Sequence, residues 1–355
     1  MTRLEQSTTQ ASRFAVLSSL ISGWELALVV ALFAVLGGFA VGAPGFFDGI
    51  GGLLQITQYF LPFGLVAMGL SIVILTGGID LSVGATASLS ALVMAQLWAM
   101  FGLNIWLAAA VALVLGGLLG AINGLIVTRL RTEPLIATLA TSFIYGSIAT
   151  AVGGDNPPSG FPDSFNALGI GTVDPTGLIP WQLVLFAVVA TATGLLMGRT
   201  SFGRKVVMIG YNSGTAYYSG IPVQRVLLSS YVLSGLTAAL AGVVLAAYYS
   251  AARSSMGDPL LLSTLTMVVL GGVSIFGGEG TITGVILAVL VLGFLRQGLL
   301  IAGYSDMVTT MVTGVILLGS IAVKNTLSTR RNLLRARLRR WRTPAHSPQT
   351  NPTVK

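Results

Sequence analysis

Long apolar runs separated by short polar or glycine-rich punctuation set the pattern of this chain. Ten runs are long enough to cross about 30 Å of hydrocarbon as helices. They lie near residues 24–43, 53–76, 81–101, 104–128, 135–152, 179–198, 225–249, 260–276, 281–301 and 306–323. The pattern predicts an all-α polytopic membrane protein of about ten transmembrane helices. The runs are continuous rather than alternating residue by residue, which argues against a β-barrel. The faintest signals are 81–101, rich in Ala and Ser, and 260–276, which is short.

Charge orients these spans. With the N-terminus inside, seventeen of the nineteen Lys and Arg residues fall on one face, all but Arg253 and Arg296. That asymmetry predicts both termini on the cytoplasmic side. Arg253 falls in an outside loop and Arg296 within a span. The segment 153–178 carries Asp155, Asp163 and Asp174 without a basic residue and belongs outside. Three regions follow: a cytoplasmic N-terminal segment 1–23, a transmembrane domain 24–323 and a basic cytoplasmic tail 324–355. The first apolar segment reads as a retained helix, since no cleavage pattern precedes it. The tail's RRNLLRARLRRWR, residues 330–342, reads either as a positive-inside anchor or as a basic helix on anionic lipid.

Composition sharpens the class. Hydrophobic residues make up 54% of the chain and charged residues 8%, and mean hydropathy is +0.86. The net charge of +8 comes largely from the tail and marks no nucleic-acid surface. There is no cysteine, and the single histidine, His346, lies in the tail, so thiol chemistry and a histidine metal site are excluded.

Glycine marks the places where helices stop. LTGGIDLSVG (75–84) breaks one of the most apolar stretches, with Gly77 and Gly78 ending a helix beside Asp80. Asp80 or Ser82 is suited to cap the next helix. Asp80 is either such a cap at a tight turn or part of a gate near the cytoplasmic exit. LGGVSIFGGEGTITG (270–284) is a second break of the same orientation, containing Gly271, Gly272, Gly277, Gly278 and Glu279. Glu279 either caps the helix starting near Thr281 or meets a partner. Gly116, Gly120 and Gly124 recur on one helix face, as in tight packing of membrane helices. Arg296, with Gln297 beside it, either meets a hydroxylated ligand, pairs with a carboxylate, or snorkels to lipid.

Energy must come from elsewhere. No lysine follows a glycine, so no phosphate-binding G-x-x-x-x-G-K-[ST] loop exists. Only Asp80, Glu279 and Arg296 are charges near the membrane interior, few for an ion-coupled carrier. The reading by elimination is a passive membrane unit driven by another subunit. An ion-coupled carrier or channel for a small polar solute, and a scaffold without transport, remain as alternatives. The inside loop TSFGRKVVMIGYNSGTAYYSGIPVQR (200–225) offers the motor a docking point. Asn212 or Ser213 caps a short helix ending at Gly220, and Tyr217 and Tyr218 supply aromatic anchors.

Four stretches together resemble a known family: LTGGIDLSVG, NGLIVTRLRTEPLIATLAT (123–141), FGRKVVMIGYN with SGIPV, and LGGVSIFGGEGTITG, in that order. They are similar to the permease subunits of bacterial ABC importers for ribose, xylose, rhamnose and related monosaccharides, a family that includes the autoinducer-2 import permeases. The resemblance covers about 24–323. It implies a multi-pass protein of the bacterial inner membrane, paired with a second permease, identical or related. It further implies two ABC ATPase subunits, which bind the ATP and Mg, and a periplasmic binding protein that delivers the ligand. No cofactor is implied in this chain. Asn212, Ala216, Ser219, Gly220 and Ile221 match the family's coupling segment. Ser213 and Gly214 stand where acidic residues are common, and Tyr217 where arginine is common. GWELAL (23–28), YYSGIPV (217–223), SAARSSMGD (250–258) and LRQGLLIAG (295–303) lean toward the autoinducer-2 branch.

Overall fold

A computed structural model describes residues 23–43, 45–320 and 322. The expectations for the N-terminal segment before 23 and for the basic tail lie outside these residues.

The described residues form helices joined by short connections, with two isolated β-bridges. In chain order they are α1 (Gly23–Gly42), α2 (Gly49–Ile56), a 3-10 turn (Thr57–Tyr59), α3 (Leu61–Leu75), α4 (Val83–Phe101) and α5 (Ile105–Arg129). Then follow α6 (Pro134–Gly153), α7 (Asp163–Ile170), α8 (Trp181–Arg199), α9 (Ser201–Tyr211) and α10 (Ser213–Tyr218). The last four are α11 (Val223–Tyr249), α12 (Asp258–Leu270), α13 (Ile282–Ile301) and α14 (Asp306–Ser320).

Seven helices are long and apolar enough to cross a membrane, and eight if the bent pair Gly49–Tyr59 and Leu61–Leu75 is one span. The predicted span 53–76 is that pair, bent by 56°. Residues Phe60 and Pro62 sit at the bend, where the proline ring fits the first turn of α3. The predicted spans 260–276 and 306–323 appear as shorter apolar helices, α12 and α14.

At the centre lies α3, whose fifteen residues are all buried. Such a helix is apolar all round because it touches protein on every side. Next to it, α11 packs against α5 through the predicted glycine seam. A Cβ on Gly120 would lie 2.2 Å from the carbonyl oxygen of Tyr231, and one on Gly116 2.5 Å from that of Gly235. The seam is backbone on backbone, the close approach that small residues allow.

The connection before α12 dips into the bundle. Near the C-terminal end of α4, Trp98 stacks edge-on against Phe161 at 5.3 Å, and the Phe161 amide donates to Ser250 Oγ. Yet the Gly257 amide donates to Ser88 Oγ, ten residues lower on α4. At 1.5 Å per residue, the chain from Ser250 to Gly257 descends about 15 Å. A Cβ on Gly84 would lie 2.5 Å from the Gly257 carbonyl oxygen, so the descending chain lies flat on α4. The helix α12 therefore starts partway through the bundle. This is why its apolar run is short: irregular chain fills the rest of that layer of the bundle.

Candidate functional site

The first break folds around Asp80. Gly77, at φ +83°, turns the chain out of α3. Asp80 is 1% exposed, deep among α4, α5, α6 and α11. Its Oδ1 accepts from the Ser82 amide at 3.1 Å and from Ser82 Oγ at 2.7 Å, and its Oδ2 accepts from Ser234 Oγ at 2.8 Å. Asn123 Nδ2 donates to Ser82 Oγ at 2.7 Å, and Tyr145 OH donates to Asn123 Oδ1 at 3.3 Å. Tyr231 OH reaches the Ile79 carbonyl at 3.4 Å, while Thr138 Oγ1 accepts from the Leu81 amide at 3.1 Å. Three helices, α5, α6 and α11, thus hold one short loop. Ser82 occupies the N-cap position of α4 but makes no side-chain cap, because its hydroxyl is turned to Asp80.

The second break is held from α1. Thr281 caps α13 by accepting from the Gly284 amide at 3.1 Å, and Thr281 Oγ1 donates to Glu25 Oε1 at 2.6 Å. Trp24 Nε1 donates to the Leu270 carbonyl at 2.9 Å. The side chain of Glu279 is exposed, and the helix cap next to it is Thr281. Gly271 packs on α13, where a Cβ would lie 2.6 Å from Val285 Cα, and Gly272 packs under the Trp24 indole.

The two breaks meet each other and the docking loop. The Gly278 amide donates to the Leu75 carbonyl, the last residue of α3, at 2.9 Å. A Cβ on Gly277 would lie 2.6 Å from the Gly77 nitrogen and 3.0 Å from Gly210 Cα. One on Gly210 would lie 2.0 Å from the Leu75 carbonyl oxygen and 2.2 Å from the Gly278 nitrogen. Gly210 is in the last turn of α9, directly before α10. Three glycine motifs that are far apart in sequence therefore form one junction, with backbone atoms on all sides.

Beyond the junction projects α10. Asn212 caps it, its Oδ1 accepting from the Thr215 amide at 2.8 Å. Ala216 is buried beneath, and Ser219 Oγ donates to the Thr215 carbonyl. Gly220, at φ +78°, ends the helix, as predicted for this loop. Tyr217 and Tyr218 are 69% and 88% exposed, with their rings packed edge to face at 5.7 Å. Phe276, at the tip of the second break, is 82% exposed.

Arg296 stands apart from this cluster. Its guanidinium donates to Asp306 Oδ1 at 2.7 Å and lies 5.5 Å from the centre of the Phe63 ring. Of the readings left open by the sequence, pairing with a carboxylate is the one the geometry shows. Sequence reasoning singled out Gly77, Asp80, Gly277 and the α10 loop. It missed Asn123, Tyr145, Tyr231 and Ser234 as partners of Asp80, and Gly210 as the joint between motifs.

Comparison with known proteins decides the class. Residues 52–321 match the family model described as the permease component of a branched-chain amino acid transport system. The chain belongs to this permease family. An autoinducer 2 import system permease protein, LsrD, of Yersinia enterocolitica is 37% identical over 326 residues, covering 90% of this chain and 97% of that relative. The LsrD of Photorhabdus temperata is 37% identical with 90% and 96% covered, and that of Salmonella typhi 37% identical with 83% and 89% covered. No solved structure matches. The permease is thus a multi-pass transport component rather than an enzyme, and the junction, α10 and the Asp80 network are parts of a transport machine.

Proposed function

We propose that the permease imports a small hydroxylated ligand, an autoinducer-2-like furanose or a related monosaccharide, across the bacterial inner membrane, driven by ABC ATPase subunits. The observation that carries the reading is the junction. It places the α10 helix, with Tyr217 and Tyr218 outward, three residues beyond a glycine that touches both helix breaks. A partner that moves α10 moves Gly210, and with it the ends of α3 and of the 271–281 loop, because no side chain lies between them to absorb the displacement. In this reading α14 and the composite crossing through α12 bring the spans to about ten, with both termini cytoplasmic. A second permease, identical or related, completes the pore, and a periplasmic binding protein delivers the ligand. ATP and Mg stay with the ATPase. The choice of ligand follows the full-length likeness to autoinducer 2 import permeases. Amino acids, named in the family's description, are the competing cargo.

Tests of this reading begin with a tagged permease purified in mild detergent from its native membrane. An ATPase should co-purify. In proteoliposomes the complex, with binding protein added, should take up labelled autoinducer-2 or ribose on addition of ATP, undisturbed by an uncoupler. Uptake abolished by the uncoupler would mark an ion-coupled carrier, and uptake of leucine instead would reassign the cargo.

A further inference from the structure

We propose that the descending segment Arg253–Asp258 lines a water-filled path at mid-depth of the membrane and contacts the hydroxylated ligand there. This rests on the proposed transport function for the ligand, but not for the water. The Ser88 contact of Gly257 sets the depth, about 15 Å below the ring pair of Trp98 and Phe161. A second ruler agrees. Gly242 of α11 packs on Ala87, next to Ser88, and lies seven residues, about 10 Å, below the outer end of α11 at Tyr249. In a hydrocarbon layer about 30 Å thick, 10–15 Å is near the middle.

At that depth Asp258, next to Gly257, has an exposed side chain; Ser255 is exposed just above it, and Arg253 is exposed at the top of the segment, one residue after Ala252, whose amide donates to the Pro158 carbonyl. Neither charged side chain makes a hydrogen bond or ion pair among the described residues. A charge facing lipid at the middle of a bilayer is costly, so ionisable residues there face a bundle interior or a water-filled cavity. Snorkelling offers no escape. The short side chain of Asp258 does not span the distance to the nearer surface, about 10 Å or more. The backbone argues in the same direction. Residues 251–257 are not helical, and irregular backbone at membrane depth is tolerated only inside protein or beside water. Gly257 packs on α4, so one side is protein, and the side bearing Ser255 and Asp258 must therefore face water, with Arg253 at its outer mouth. A guanidinium, a hydroxyl and a carboxylate offer both donors and acceptors, the set that recognises vicinal hydroxyls without favouring a charged solute.

The chain has no cysteine, so single thiols report without background. Ser255→Cys and, separately, Asp258→Cys would be made in the full complex in membrane vesicles and exposed to a membrane-impermeant cationic thiosulfonate. Val114→Cys, exposed on the outer face of α5, serves as the lipid control, and Asp155→Cys as the outer-loop control. The expected result is labelling of 255 or 258 at a rate within tenfold of 155, slowed by ribose or autoinducer-2, with 114 unlabelled. Arg253→Gln and Asp258→Asn should each lower uptake at least tenfold with the ATPase still bound. Both thiols as unreactive as 114 would overturn the path. So would full uptake by both polar variants. Labelling does not depend on ATP, so it stands even if the permease proves to be ion-coupled.

Discussion

Two aspartates stand beside two helix breaks, and they are treated in opposite ways. Asp80 is buried, and its two oxygens accept three hydrogen bonds from Ser82 and Ser234. Asp258 is exposed at the start of α12 and makes no side-chain hydrogen bond among the described residues. A carboxylate with its lone pairs committed to protein donors holds a fold together. One left open at membrane depth is available to a ligand. The division extends to the surroundings: around the inner breaks backbone lies on backbone, whereas the 253–258 segment has protein on one side only.

The largest expected effect tests the first half of this contrast. Asp80→Ala removes the acceptor for Ser82 and Ser234 inside a buried network, and each stranded donor costs about 1–3 kcal/mol. Thermal unfolding of the purified variant should show a marked loss of stability, on the order of 3 kcal/mol. Asp80→Asn keeps an acceptor for Ser82 and should lose less. A fully stable Asp80→Ala protein would show that the network bears no load. Asp258→Asn is the counterpart. Its unfolding should match the parent to within about 0.5 kcal/mol, as for most exposed positions, while uptake falls.

A smaller effect concerns the docking face. Tyr217→Ala and Tyr218→Ala together should weaken co-purification of the ATPase roughly tenfold, as expected when aromatic anchors worth 1–2 kcal/mol are removed. Unchanged association would move the docking site away from α10. The smallest effect lies in the outer loop. The side chain of Asp174 accepts from the Thr176 hydroxyl and from the Leu178 and Ile179 amides, which lowers its pKa to about 2. A carboxyl depressed in the folded state stabilises above its unfolded value near 4 and loses that contribution as pH falls toward 2. The protection of the Leu178 and Ile179 amides against hydrogen exchange, relative to the intrinsic rate at each pH, should fall across that window and be flat above it.

Much of this arrangement was legible in the sequence because it is written in local chemistry. Gly77–Gly78, Gly277–Gly278 and Gly220 announce turns, Asn212 announces a cap, and apolar length announces spans. The misses are of another kind. Ser234 and Tyr145 lie in otherwise apolar helices, and nothing local says that they face Asp80 rather than lipid. Gly210 reads as punctuation until the fold sets it against Leu75 and Gly278. The short apolar run at 260–276 read only as a faint helical span, and it is the contact between Gly257 and Ser88 that shows where α12 starts.

The most direct test is the number of ligand molecules imported per ATP hydrolysed by the reconstituted complex carrying Gly210→Ala. A methyl group there has Leu75 and Gly278 backbone in its way, whereas at Gly214 the nearest atom outside the helix's own backbone is Asn212 Oδ1 at 3.3 Å, so Gly214→Ala is the control. The account predicts that the ATPase stays bound and hydrolyses ATP in both, while import per ATP falls at least tenfold in Gly210→Ala alone. Equal import per ATP in the two variants would contradict it.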